Sequence, residues 1–109
     1  MGYDKGLADR VRALLEDKPG FGEKKMFGGV CFLLRGNMAS GVLNDDLIVR
    51  VGPQKYKESL QLANTRQFDI TGRPMKGWVV VSSEGHRTKE KLAFWVGQGV
   101  AFALTLPAK

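Results

Sequence analysis

"KKMFGGVCFLLRGNMASGVLNDDLIVRV", Lys24 to Val51, is the stretch whose reading decides the fold class of this chain. Three apolar runs follow one another with only turn-forming residues between them. The first spans about Lys25 to Leu34, "MASGVL" at 38–43 is the second, and "LIVRV" at 47–51 is the third. "RGN" at 35–37 and "NDD" at 44–46 carry the residue types that close tight turns. Turns this short between strands imply an antiparallel meander. In the third run Leu47, Val49 and Val51 alternate with Ile48 and Arg50, so Arg50 is expected on the opposite face from Val49 and Val51.

The pair Gly28-Gly29 interrupts the first run. A phosphate cradle needs a strand, a glycine-rich turn and then a helix whose N-terminus faces the anion. Here "VCFLL" follows, which is a strand. The context favours a structural role, either a bend in the strand or a close approach by neighbouring backbone.

Working outward, "DKGLADRVRALLED" predicts a first helix, with Asp4 as N-cap and Leu7, Val11, Leu14 and Leu15 on one stripe. "KPGFG" ends it. After the meander, "GPQKYKESLQLA" predicts a second helix with Pro53 in its first turn and Tyr56, Leu60 and Ala63 on one face. "FDI" starts a short strand, "TGRPMKG" interrupts it, and "WVVVS" is rich in β-branched residues and reads as a further strand. "SEGH" reads as a turn. A last helix is expected from about Lys89 to Leu104, with Thr88 as N-cap and a stripe of Leu92, Val96, Val100 and Ala103. Phe94, Trp95 and Phe102 widen its apolar surface. The order α-β-β-β-α-β-β-α, with strands grouped in meanders, places the chain in the α+β class.

A chain of 109 residues with 43% hydrophobic content matches one globular domain spanning 1–109. No apolar run approaches the roughly 20 residues of a membrane span, and no signal-peptide core is present, so a cytoplasmic location is expected. The net charge is +6, and residues 53–109 hold nine basic and four acidic residues. The excess suits acidic partners, but the charges are scattered and no basic run exceeds two residues, which is also what a solvated surface looks like.

Residues that carry chemistry are sparse. The single cysteine, Cys31, rules out an internal disulfide or a multi-cysteine metal site, and its apolar strand predicts a buried, inert thiol. His86 is the only histidine and is expected in a solvent-exposed turn. Asp45 and Asp46 are read as turn residues. No triad, zinc motif or Walker loop is present, so no catalytic residue, cofactor or metal is assigned. Two basic groups remain as candidate contacts for a partner or an anion. Arg50 is paired with Arg73 and Lys76 of "GRPMKG", on a loop stiffened by proline. Arg87, Lys89 and Lys91 cluster at the start of the last helix, where the dipole is already positive. In each case solvation or a neighbouring carboxylate is the plainer reading; Asp69 is the nearest candidate for the first group and Glu84 for Arg87.

Four motifs in order and at matching spacing resemble a known family: Met26-Phe27-Gly28-Gly29, Gly36-Asn37-Met38-Ala39, Arg50-Val51-Gly52 and Gly72-Arg73-Pro74-Met75. Over roughly residues 7–106 the chain resembles the N-terminal domain of the TfoX/Sxy competence regulators. The resemblance implies a compact α+β domain, an antiparallel sheet with helices packed against it, and a bacterial cytoplasmic protein. Full-length members promote transcription of DNA-uptake genes in concert with a catabolite-responsive activator and carry a second, C-terminal domain. A chain ending at Lys109 looks like a stand-alone member. The family implies no catalytic residues. The expected function is therefore a non-enzymatic regulatory or adaptor domain that binds a protein partner, with direct nucleic-acid binding, or a small-molecule pocket near Arg50 and Arg73, as the alternatives.

Overall fold

The computed structural model describes residues 3–26, 28–69 and 72–108, without the side chain of Met26. Helix α1 (Lys5–Leu15) leads into strands β1 (Phe21–Met26), β2 (Gly29–Leu34), β3 (Asn37–Leu43) and β4 (Asp46–Arg50). A short helix α2 (Tyr56–Leu60), strands β5 (Thr65–Gln67) and β6 (Trp78–Val81) and helix α3 (Lys89–Ala103) complete the chain. The strands form one antiparallel sheet in the order β1-β2-β3-β4-β6-β5. The class is α+β. The expected order of helices and strand runs is present, with one strand added at the front of the meander.

That added strand is β1. The run from Lys25 to Leu34 is two antiparallel strands with a turn at Gly28, and Met26 stands opposite Gly29. β1 reads "FGEKKM" and has little apolar alternation to announce it. It lies at the sheet edge, where charged side chains are common because they discourage pairing with other chains. Gly28 sits in this turn at φ +79°, a conformation that costs a residue with a Cβ. Gly29 opens β2, and a Cβ there would run into the carbonyl oxygen of Val42. The next hairpin turns on Arg35 at φ 53° and Gly36 at φ 85°, positive at both central residues as the twist of a two-residue hairpin requires. An irregularity at Phe32/Leu33 shifts the β2–β3 register by one residue, from Phe32 opposite Ser40 to Leu33 opposite Met38.

The other elements differ from the sequence reading mainly in extent. α2 is a single short helix. Pro53 lies in the turn before it, and Ala63 lies past its end and is exposed. The short strand paired with β6 is Thr65–Gln67 rather than the segment from Phe68. Phe68 instead leaves the ladder and is buried against the sheet. Ile70 and Thr71, like Phe27 of the glycine motif, lie outside the described residues.

All three helices cover the same face. α1 packs on β2 and β3, α3 on β3 and β4, and α2 on β5 and β6, with α1 and α3 touching each other. Between them lies the main core, where Val11, Leu15, Phe32, Leu47, Val49, Val79 and Val81 are fully buried. Asp4 accepts from the Leu7 amide at 3.0 Å, and Thr88 accepts from the Lys91 amide at 3.2 Å, so both expected N-caps are made. Each cap stabilises its helix by about 1 kcal/mol. Arg12 grips Glu23 of β1 through two hydrogen bonds, of 2.7 and 2.9 Å, tying α1 to the edge strand.

Candidate partner-binding face

The register of the sheet decides what lies on its other side. Lys24, Cys31, Gly41, Ile48, Val80 and Arg66 stand opposite one another across six strands. In the four inner strands the neighbours Val30, Phe32, Val42, Leu47, Val49, Val79 and Val81 point into the main core, so the pleat sends this row to the face without helices. A second apolar cluster forms there from Ile48, Phe68 and Val80, with Met38, Leu43, Met75 and Trp78 packed against it.

One segment covers part of this face. After β5 the chain turns back, and Met75 donates to the carbonyl of Phe68 at 2.8 Å. The loop thus drops Phe68 and Met75 onto β4 and β6, with the Phe68 and Trp78 rings 6.2 Å apart. Across β2 and β3 the apolar side chains Leu33, Met38 and Leu43 remain half-buried. The Cys31 thiol lies among them, 6% exposed. Burial pushes its pKa up, against a smaller downward pull from Lys24. A thiol in that state is a poor nucleophile.

Arg50 closes one end of the face. It stands opposite Trp78 in the ladder. Its guanidinium carbon lies 5.2 Å from the Trp78 ring and 5.3 Å from the Phe102 ring of α3. The described ion pairs join Arg12 to Asp9 and Glu23, Arg66 to Asp46, and Arg87 to Glu84. Arg50 and Arg73 take part in none of them, so neither is neutralised by Asp69. Beyond Arg50 the chain turns through Gly52 at φ +90°, with Phe102 packed where a Cβ would stand. A cleft of about 390 Å³ opens there, lined by Gly52, Pro53, Lys55, Gln98, Phe102 and Thr105 among others. Arg73 is not in its wall.

The family described as TfoX N-terminal domain matches residues 13–103. The chain belongs to the TfoX N-terminal domain family. No curated protein and no solved structure matches it.

In this TfoX N-terminal domain the sequence-derived cations fall into two separate places. Arg50 contacts the second cluster through Trp78, and the loop carrying Arg73 and Lys76 contacts it through Met75. Both loop cations are exposed. Arg87, Lys89 and Lys91 sit at the opposite end of α3 from Phe102, about 20 Å away along the helix axis. Two of the three have partners within the protein. Arg87 pairs with Glu84 at 2.5 Å, and the Lys91 ammonium donates to the Glu84 carbonyl at 3.3 Å. Lys89 is exposed.

The expectation of a solvent-exposed His86 is overturned. His86 is 4% exposed, and its Nε2–H donates to the carbonyl of Asp45 at 2.9 Å. The β3–β4 turn and the short 3-10 turn Ser83–Gly85 close over the ring, and Arg10 of α1 donates to the carbonyls of His86 and Arg87 at 3.2 and 3.1 Å. These contacts link residues more than 40 positions apart, which local sequence does not announce. The contributions of Trp78, Met38 and Met75 to the second face were missed for the same reason. The only available signal was the two-residue alternation that sets Ile48 and Arg50 apart from Val49.

Proposed function

We propose that this TfoX N-terminal domain is a competence-regulator-like regulatory or adaptor domain that acts by binding a protein partner in the bacterial cytoplasm, without catalysis. The observation that carries this reading is the apolar sheet face that no helix covers. A two-layer α/β arrangement leaves one side of its sheet for another element to cover. Exposed or half-exposed apolar surface rimmed by polar residues is the usual mark of an interaction site. The state of Cys31 and His86 supports the non-enzymatic part. The thiol is buried with a raised pKa, and the histidine ring is buried with its Nε2 in a structural hydrogen bond to the Asp45 carbonyl and its Nδ1 unpartnered.

The test compares affinity capture from the native cell with the wild type, a Met38→Asp variant on the face, and a Leu104→Asp variant at the exposed end of α3. The captured protein is then reconstituted from purified components. Binding that survives Met38→Asp in a folded domain refutes the reading. Retention that depends steeply on salt and on nucleic acid would favour direct nucleic-acid binding instead.

The cleft beside Arg50 supports a second reading, a small-molecule site. Its walls combine Phe102 with the polar groups of Lys55, Gln98 and Thr105, a mixture typical of ligand pockets. Native mass spectrometry of the purified protein tests it directly.

A further inference from the structure

We infer that the element docking on the helix-free face is an amphipathic helix of about 15 residues with acidic flanks. This rests on the reading of that face as the partner surface. It adds the secondary structure and the charge of what binds there.

The sheet edges argue against a strand as the docking element. β1 presents Glu23, Lys24 and Lys25 in succession along one edge, and β5 at the other is only three residues long. Charged and very short edge strands resist strand addition. The open surface is instead the broad middle of the sheet, where Leu33, Met38 and Leu43 stand half-buried over β2 and β3. A helix is the element that covers such a surface on the opposite side, where α1 and α3 lie on these same strands. β3 has seven residues and spans about 23 Å, which a helix of about 15 residues matches. Met38 and Met75 add side chains that reshape easily around an incoming apolar stripe.

The charge of the partner follows from the rim. Lys24 stands beside Cys31, Arg50 lies at the end beside Trp78, and Arg73 and Lys76 project from the covering loop. The carboxylates on this side are Asp46, already paired with Arg66 at 2.7 Å, and Asp69. Unneutralised cations around an apolar centre select an acidic partner and speed its approach.

The experiment is a selection of 16-residue peptides from a displayed random library on the immobilised domain. The enriched peptides are then synthesised and titrated, with circular dichroism and the methyl signals of Met38 and Met75 as readouts. The expected winners carry apolar residues at i, i+3, i+4 and i+7 with Asp or Glu beside them. They gain helix on binding and shift both methionine methyls. They bind at least tenfold more weakly to a Lys24→Glu/Lys76→Glu variant, whose changes are on exposed side chains and leave the core intact. Enriched peptides that are basic, that contain prolines through their length, or that bind the charge-reversed variant equally well overturn the inference. If no acidic helical peptide binds while capture of a native partner still depends on Met38, the partner face stands and its helical, acidic occupant falls.

Discussion

The guanidinium carbon of Arg50 lies 5.2 Å from the ring centre of Trp78, its cross-strand neighbour between β4 and β6, and 5.3 Å from the ring centre of Phe102 of α3. A guanidinium this close to two aromatic rings is attracted by both, and none of the described ion pairs cancels its charge. It anchors the end of the sheet to α3 and leaves a fixed positive charge at the margin of the open face.

Replacing Arg50 with glutamine removes both cation–π contacts. The expected loss is about 1–2 kcal/mol, read as a lower urea midpoint at unchanged slope. Arg50→Lys recovers only part of it, because an ammonium lacks the flat face. A double-mutant cycle with Trp78→Leu checks the contact itself, and the two changes should lose less together than their sum.

The two neighbouring glycines fail differently. Gly28, at φ +79° with open space around it, tolerates Asn better than Val, and Gly28→Ala should cost about 1 kcal/mol. At Gly29 the obstacle is the Val42 carbonyl, so even alanine forces β2 and β3 apart. Gly29→Ala should therefore destabilise more than Gly28→Ala, by roughly 1–3 kcal/mol. Chemical denaturation of the two variants orders them.

Acid should weaken the tie between α1 and β1. The hydrogen bonds from Arg12 hold the Glu23 carboxyl below its ordinary value of 4.5. A depressed carboxylate contributes its stability above the unfolded pKa and loses it as pH falls through the folded one. The stability gap between wild type and Glu23→Gln should thus be constant near neutrality and close as pH drops below about 4.5. Denaturation midpoints of both proteins across pH 7 to 3 measure it.

At the start of α3, Lys89→Gln should raise stability by a few tenths of a kcal/mol, since an exposed cation there opposes the helix dipole. Thr88→Ala should lower it by about 1 kcal/mol through loss of the cap. Thermal unfolding of the pair checks both signs. Binding of polyanions is expected to be unchanged in Lys89→Gln.

His86 should carry its proton on Nε2, visible in the ¹⁵N shifts of the ring. Substitution by phenylalanine leaves the Asp45 carbonyl without its donor, at a cost of about 1–3 kcal/mol.

The sequence by itself determined the class of fold, both long helices with their caps, and the meander. It did so because each rests on contacts within a few residues. Asp4 reaches Leu7 and Thr88 reaches Lys91. Arg35-Gly36 and Asn44-Asp45 are chain reversals that strand pairing only has to accept. Alternation in "LIVRV" was enough to send Arg50 away from the core. Tertiary structure decided what alternation leaves open. β1 is a strand because β2 offers its edge and Arg12 holds Glu23, although its own residues are charged. Phe68 left the ladder because burial against Ile48 and Val80 was available there. His86 is buried because two distant segments, the β3–β4 turn and α1, meet beside it. Above all, the choice of one face for all three helices cannot be read from any single helix, since each amphipathic stripe asks only for some apolar surface. That choice came from the packing of the whole sheet, and it is what leaves Leu33, Met38 and Leu43 half-uncovered beneath a rim of cations.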